Sequence, residues 1–226
     1  MESKIVSETS ISLKVCGITQ TKQALEIASL GIHAIGLIGV KESPRFVSRA
    51  KRREIFNQLK INFPKVERVW VVANMDNKEL HEVIYSDKSP SIIQLHGDES
   101  PKRCEFLKEK HPKIKFWKAF RIKTPQDIHN IKDFVPYVDA ILLDAWSEKA
   151  LGGTGEKLSF DLIKEVDFDI PWWLAGGISA DWIPELLSMV KPTGIDASSK
   201  LEISPGIKDI RKVKLLLETI QLGEIK

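Results

Sequence analysis

Short runs of apolar and β-branched residues recur along the chain, separated by longer segments of mixed polarity. Several of these runs are continuously apolar instead of alternating, which is typical of parallel strands buried on both faces. The pattern therefore predicts eight strands. They span residues 13–17, 34–39, 69–73, 92–95, 116–120, 140–144, 172–175 and 194–197.

The intervening segments predict helices. Apolar residues three or four positions apart form a stripe in the first, second and last of them. Pro184 lies near the middle of the seventh segment and is expected to displace the start of that helix. The glycine-rich segment 152–155 delays the sixth helix until about Phe160. Residues suited to helix N-caps precede four of the helices: Thr19, Asp76, Thr124 and Ser179.

Strict alternation of strand and helix indicates an α/β fold with a parallel sheet, since parallel neighbours need crossover connections. Eight units favour closure into a (β/α)8 TIM barrel, although periodicity alone leaves an open doubly wound sheet as an alternative. The length of 226 residues suits such a barrel, which typically needs roughly 200 to 250. We expect a single domain over residues 1–226, with residues 1–10 as a flexible N-terminal extension.

The composition is that of an ordinary globular protein, with 42% hydrophobic and 29% charged residues. A formal charge of +3 is too weak to indicate nucleic-acid binding. No apolar run approaches the ~20 residues that a membrane span needs, and the first ten residues lack the apolar stretch of a signal peptide. The two cysteines, Cys16 and Cys104, are far apart in sequence, which fits a reducing cytoplasm better than a disulfide framework.

In a TIM barrel the chemistry takes place at the C-terminal ends of the strands. The polar and glycine residues there match no metal-binding spacing, serine nucleophile elbow, P-loop or dinucleotide-binding pattern. They are Cys16, Arg45, Asn74, His96, Arg121, Asp144, Gly176, Gly177, Asp196, Ser198 and Ser199.

Cys16 and Asp144 are the candidates for acid–base chemistry. A free cysteine is more often a small buried apolar residue, but Cys16 ends a strand beside Gly17, and a thiolate of lowered pKa there could abstract a proton. Asp144 follows four apolar residues, and a partly desolvated carboxyl group retains its proton more readily, which suits a general acid. The alternative for Asp144 is a turn or helix cap, yet the next helix begins far downstream. Cys104 is expected to be a packing residue.

The remaining candidates are suited to binding. Arg45 could pair with a carboxylate or be a solvated loop arginine, and His96 could contact substrate or be a hydrogen-bonded histidine at a strand end. Two consecutive loops follow the last two strands, where barrels often bind phosphate through backbone amides. The alternative for both loops is a simple tight turn. They contain Gly176 and Gly177, and Ser198 and Ser199.

Eight segments, in order and each at a predicted strand or the loop after it, form a recognisable set. They are 14–19 (KVCGIT), 43–48 (SPRFVS), 93–99 (IQLHGDE), 118–121 (KAFR), 142–144 (LLD), 152–155 (GGTG), 174–177 (LAGG) and 194–209 (GIDASSKLEISPGIKD). Together they resemble the N-(5'-phosphoribosyl)anthranilate isomerase family. The resemblance implies a closed barrel and an isomerase of tryptophan biosynthesis that uses neither a cofactor nor a metal. The implied reaction is the Amadori rearrangement of N-(5-phosphoribosyl)anthranilate to 1-(2-carboxyphenylamino)-1-deoxyribulose 5-phosphate.

The resemblance also implies roles for individual residues. Cys16 matches the general base, Asp144 the general acid, and Arg45 the arginine that holds the anthranilate carboxylate. The residues that match the rest of the substrate site are His96, Asp196, Gly176, Gly177, Ser198 and Ser199, the last four around the phosphate. Two departures are Ala197, where valine is usual, and Lys200, where glycine is usual; a lysine resists a positive φ.

Other functions remain as alternatives. The related histidine-pathway isomerase generally has an aspartate where Cys16 stands, which argues against it and against a dual-substrate enzyme. Indoleglycerol-phosphate synthase would show lysine and glutamate at strand ends, and a non-catalytic barrel would lack the acid or the base. We expect a small phosphorylated substrate, no nucleic-acid or membrane partner, and a monomer or weak homodimer.

Overall fold

The computed structural model describes residues 11–86, 88–145, 163–164, 166 and 168–223. Eight parallel strands form a closed barrel in chain order, and β1 completes the ring by pairing with β8, Ser12 opposite Gly194. The predicted (β/α)8 barrel is confirmed, and the open sheet is wrong. The strands are β1 (Ser12–Cys16), β2 (Ala34–Ile38), β3 (Glu67–Val72), β4 (Ile92–Leu95), β5 (Lys115–Ile122), β6 (Ala140–Ala145), β7 (Trp172–Ala175) and β8 (Gly194–Ala197).

Helices surround the barrel. The predicted extension 1–10, the segment 152–155 and the predicted helix start at Phe160 lie outside the described residues. No helix within the described ranges is long and apolar enough to cross a membrane. The helices described are α1 (Thr21–Ala28), α2 (Arg49–Asn62), α3 (Asn77–Ile84), α4 (Pro101–Lys110), α5 (Pro125–Ile131), α6 (Ile183–Met189) and α7 (Ile210–Gly223).

Several helix starts follow from local side-chain chemistry. The Asp76 carboxylate accepts a hydrogen bond from the Glu79 amide, and Asp127 in the first turn of α5 accepts one from the Thr124 amide. The predicted caps Asp76 and Thr124 are confirmed, whereas the cap of α1 is Gln20 and not Thr19.

The start of α6 is set by a proline. Pro184 stands in the first turn of α6, where its missing amide hydrogen costs nothing. A 3-10 turn capped by Ser179, Ala180–Trp182, precedes that helix.

The core has two layers, because successive side chains of each strand point to opposite faces of the barrel wall. The outer and larger layer packs the strands against the helices. The inner layer fills the barrel with residues such as Val69, Leu142 and Trp173. Trp117 and Trp173 pack against each other there, with their ring centroids 4.7 Å apart.

A short antiparallel hairpin follows β8 and was not predicted. It comprises β9 (Glu202–Ser204) and β10 (Ile207–Lys208), joined through a glycine, Gly206, at φ 83°. Lys200 lies in the 3-10 turn Ser199–Leu201 between β8 and the hairpin, and its φ is not positive. The departure at position 200 therefore causes no left-handed strain.

Candidate active site

The inward-facing side chains at the C-terminal ends of the strands form the candidate site. Cys16 and Leu142 belong to the inner layer. Alternation along β6 therefore directs Asp144, two residues beyond Leu142, into the barrel mouth. The strands that carry Cys16 and Asp144 are separated by β7 and β8 around the closed barrel. The two candidates for acid–base chemistry thus approach the mouth from different sides.

Asp144 and His96 are neighbours across the mouth. The Nε2 atom of His96 lies 3.4 Å from Oδ2 of Asp144, and both side chains are partly exposed, by 23% and 30%. On the other edge of the imidazole, Nδ1 lies 3.2 Å from Nε2 of Gln94. Because Gln94 and Asp144 contact opposite ring nitrogens, they hold the ring of His96 in one orientation.

Cys16 is buried, and a charged pair lies beside it. Lys14, two residues earlier on β1, is fully buried, and its Nζ lies 2.6 Å from Oδ2 of Asp196 on β8. Burial raises the pKa of the Cys16 thiol, and although the ammonium of Lys14 lowers it, the net pKa stays above its ordinary value. The pKa of Cys16 is thus raised, whereas the sequence analysis expected the lowered pKa of a reactive thiolate.

Asp196 is buried within the same site. Burial raises the pKa of its carboxyl group, and the nearby Lys14 ammonium only partly offsets that effect. Its Oδ2 accepts the bond from Lys14, whereas its buried Oδ1 has no hydrogen-bond partner among the described residues. An acceptor of this kind is available to a donor on a ligand.

Arg45 is paired with a carboxylate of the protein. Its Nε and Nη2 donate to Oε1 and Oε2 of Glu202 at 2.7 and 2.6 Å. Lys208 lies 2.8 Å from the same carboxylate. These bonds use one edge of the guanidinium and do not involve Nη1, which can donate to a second carboxylate.

The loops after β7 and β8 contain the glycines and serines that were predicted to bind phosphate. Gly176 and Gly177 adopt φ values of 99° and 63°, which favour glycine. Ser198 donates from Oγ to the Cys16 carbonyl at 3.0 Å, and Lys208 Nζ donates to the Ser198 carbonyl at 3.1 Å. The serine loop is thereby held against the end of β1. Lys208 adds a positive charge to this loop.

Two further residues at strand ends have different surroundings. Asn74 has a φ of 51° and shapes the loops after β3 and β4. Its backbone amide donates to the Glu99 carboxylate, and its side-chain Oδ1 accepts from the backbone amide of Asp98. Arg121 on β5 stands opposite Asp144 in the strand register, and it is exposed. Asn74 is therefore a loop-forming residue, and Arg121 is a cation at the rim of the mouth.

The site also contains three residues that were not predicted from the sequence: Lys14, Glu202 and Lys208. A signal was available for Lys14, because a lysine inside a buried apolar strand requires a charged partner. Glu202 and Lys208 gave no comparable signal, since their neighbours in the structure are remote in sequence.

One cavity among the described residues lies away from the barrel mouth. It has a volume of about 860 Å³ and lies at the N-terminal end of the barrel, where Phe63, Trp117 and Trp173 contribute to its lining. Chemistry in TIM barrels takes place at the opposite end. The cluster around Cys16 and Asp144 therefore remains the candidate active site.

Comparison with known proteins identifies the family. The family model for N-(5'-phosphoribosyl)anthranilate isomerase matches residues 13–219 of this chain. The chain belongs to that family. The match spans both Cys16 and Asp144, together with all seven candidate binding residues. Membership sets aside the histidine-pathway isomerase and indoleglycerol-phosphate synthase as alternatives.

Individual members of the phosphoribosylanthranilate isomerase family agree in sequence and in fold. The enzyme of Nostoc punctiforme is 39% identical over 208 residues, which cover 92% of this chain and 97% of the relative. The crystal structure from Thermotoga maritima superposes with a TM-score of 0.83 at 27% identity, covering 93% of this chain and 98% of the other.

A second solved family structure contains a ligand. That phosphoribosylanthranilate isomerase is in complex with reduced 1-(o-carboxyphenylamino)-1-deoxyribulose 5-phosphate. It superposes with a TM-score of 0.76 at 26% identity and covers 93% of this chain and 98% of its own.

Proposed function

We propose that this chain catalyses the Amadori rearrangement of N-(5'-phosphoribosyl)anthranilate to 1-(2-carboxyphenylamino)-1-deoxyribulose 5-phosphate, a step of tryptophan biosynthesis. The observation that carries the proposal is the position of Cys16 and Asp144 at the ends of β1 and β6, both directed into one barrel mouth. The rearrangement needs an acid at the ring oxygen and a base at C2', and these atoms lie on different parts of the sugar.

In the first step, Asp144 as general acid donates its proton to the furanose ring oxygen. The bond between that oxygen and C1' breaks, and the nitrogen lone pair forms a protonated Schiff base with C1'. His96, 3.4 Å from Asp144, supports the orientation of the carboxyl group. Preorganised polar groups of this kind act without further rearrangement in the transition state.

In the second step, Cys16 as thiolate removes the proton from C2'. The electron pair of that C–H bond moves toward the iminium nitrogen and gives an enolamine. Protonation at C1' and loss of the hydroxyl proton at C2' then yield the ketose. The iminium of the substrate serves as the electron sink, so this route requires no metal or cofactor.

The two anions of the substrate are assigned to different parts of the mouth. Arg45 binds the anthranilate carboxylate through the guanidinium edge that Glu202 does not use, and Asp196 offers its unpaired Oδ1 to a donor on the substrate. The phosphate binds between the loops after β7 and β8. The residues assigned to that cradle are Gly176, Gly177, Ser198 and Ser199.

The proposed function is tested by fluorescence turnover of N-(5'-phosphoribosyl)anthranilate, with the aminoaldose substrate of the histidine pathway as comparison. We expect turnover of the first compound only. Turnover of the second compound alone, or of neither by a folded protein, would contradict the proposal.

We further propose one domain that works as a monomer or weak homodimer in the cytoplasm. Both cysteines are free thiols, which suits a reducing compartment. The exposed large apolar residues lie on several different elements, among them Phe46, Phe106, Ile203 and Leu222. Light scattering during size-exclusion chromatography measures the oligomeric state, and a stable trimer or tetramer would contradict this part of the proposal.

A further inference from the structure

Lys14 is an unusual residue for the interior of a barrel. It is 0% exposed and lies on β1 between the buried residues Leu13 and Val15. Burial alone lowers the pKa of a lysine, yet the attraction of Asp196 and of Cys16 outweighs that effect and raises the pKa of Lys14 above its ordinary value. Lys14 is therefore a buried ammonium ion, and it is held by the ion pair of 2.6 Å with Asp196.

The same ammonium lies beside the sulfur of Cys16. Lys14 and Cys16 are two residues apart on β1, so their side chains point to the same face of the barrel wall. Gly36 on β2 leaves the necessary room, because a Cβ atom there would lie 2.6 Å from Sγ of Cys16 and 3.1 Å from Cε of Lys14. Both side chains thus occupy the space that any residue larger than glycine would fill.

We propose that Lys14 is a positioning residue that stabilises the thiolate of Cys16, and that Asp196 holds the Lys14 ammonium beside the sulfur. The proposal deepens the proposed function and rests on it, since it explains how a buried thiol can act as the base at C2'. An ammonium beside a thiol lowers the free energy of the anion without itself touching the substrate.

Other charged groups also act on Cys16. Asp196 on β8 raises the pKa of the thiol, Lys208 on β10 lowers it, and Arg45 in the loop after β2 interacts with it electrostatically. Asp144 and His96, across the mouth, act on Asp196. Lys14 and Asp196 are therefore expected to have opposite effects on the thiol when each is replaced separately.

The test is an ultraviolet titration of the thiolate, which requires no substrate. All variants carry Cys104→Ser, so Cys16 is the single cysteine, and a Cys16→Ser/Cys104→Ser double variant provides the blank. In the Lys14→Met variant we expect at least tenfold less thiolate at a given pH, which is a rise of one unit or more in the pKa of Cys16. In the Asp196→Asn variant we expect the pKa of Cys16 to fall. In the Lys14→Arg variant, which keeps the positive charge, the pKa of Cys16 should lie between its values in the parent and in Lys14→Met.

An unchanged titration in folded Lys14→Met, or shifts of the same sign in the Lys14 and Asp196 variants, would overturn the proposal. If Lys14→Met alone does not fold, the double variant Lys14→Met/Asp196→Asn is used, because it leaves no unpaired buried charge. The pKa of Cys16 in the double variant is then compared with that in Asp196→Asn.

The proposal for Lys14 and the proposed function can fail separately. A titration that shifts as expected while Cys16→Ser retains full turnover would contradict the role of Cys16 as base but not the effect of Lys14 on the thiol.

Discussion

Arg45 and Glu202 form a two-point ion pair between the loop after β2 and the hairpin after β8, with N–O distances of 2.7 and 2.6 Å. The residues are 157 positions apart in sequence. The pair directs the opposite edge of the guanidinium toward a different partner. An arginine proposed to bind a substrate carboxylate is thus oriented by a carboxylate of the protein itself.

Replacement of Arg45 by lysine is expected to weaken the anthranilate end of the ligand selectively. Lysine keeps the charge but cannot donate a planar pair of hydrogen bonds. We expect roughly tenfold to hundredfold weaker binding of a reduced product analogue, from the ~1.5–3 kcal/mol of a charged hydrogen bond, and unchanged binding of ribose 5-phosphate. Calorimetric titration of both ligands measures this, and equal weakening of both would assign Arg45 to the phosphate site.

Replacement of Gly177 by valine is expected to weaken both ligands. Gly177 has a φ of 63° with nothing within 4 Å of an added Cβ, so the cost arises from the backbone conformation and not from a clash. Such strain costs on the order of 1–3 kcal/mol and displaces the loop amides. Gly31→Val, at φ 86° and also with open space, is the matched control. The Gly31→Val variant should be less stable to heat yet bind both ligands with unchanged affinity. Weakened binding in both variants would indicate that destabilisation of the fold, and not a change in the loop after β7, lowers the affinity.

Replacement of Cys16 by serine is expected to lower kcat by roughly 10² to 10⁴-fold, the usual contribution of a general base. Binding of the product analogue should be retained, because the base is needed for proton transfer and not for affinity. Cys104→Ser, at a buried thiol on α4, is the control and should retain kcat. Steady-state kinetics distinguish the two, and wild-type kcat in Cys16→Ser would refute the assignment.

Replacement of Asp144 by asparagine is expected to lower kcat to a similar extent, because an amide cannot protonate the ring oxygen. Asp139→Asn, just before β6, is the matched control. The Oδ2 atom of Asp139 accepts a hydrogen bond from the Phe116 amide at 2.8 Å. Weakening of that hydrogen bond in Asp139→Asn should lower the melting temperature but leave kcat unchanged. A pH–rate profile that is identical in Asp144→Asn and the parent would contradict the acid role.

Glu202 is expected to make stability depend on acid pH. Burial alone raises the pKa of Glu202, but hydrogen bonds from Arg45 and Lys208 outweigh it and hold that pKa below the ordinary value. A lowered folded-state pKa contributes stability that is present above the unfolded value, about 4.3, and is lost as pH falls through the folded value. Glu202→Gln should therefore cost about 1–3 kcal/mol at neutral pH.

The cost of Glu202→Gln should disappear progressively below a pH of about 4. Urea unfolding at several pH values measures it. The exposed Glu218→Gln on α7 is the control, with little change expected at any pH. A constant difference between Glu202→Gln and the parent down to acid pH would contradict the prediction.

The barrel could be predicted from the sequence because strands buried on both faces are continuously apolar. Three of the eight predicted strands, Ile92–Leu95, Trp172–Ala175 and Gly194–Ala197, match the observed bounds. The hairpin β9–β10 is short and partly polar, so no periodic signal marked it. The dipeptide Pro205-Gly206 was the available turn signal.

The identities of the candidate site residues could be predicted, but their pairings could not. Strand ends converge in any closed parallel barrel, which was sufficient to bring Cys16 and Asp144 to one mouth. The contacts of Lys14 with Asp196 and of Arg45 with Glu202 depend on side-chain direction and on residues more than 150 positions away. No local pattern encodes such distances.

The packed pair of Trp117 and Trp173 gives the barrel an optical signature. The two indoles belong to β5 and β7, with β6 between them, and their planes are inclined by 34°. Transition dipoles so close together couple and give a pair of circular-dichroism bands of opposite sign. Because the rings belong to strands that are not neighbours, the paired bands would report the assembly of β5, β6 and β7 into the barrel wall. The helical signal would report the surrounding shell, so one spectrum could follow both during refolding.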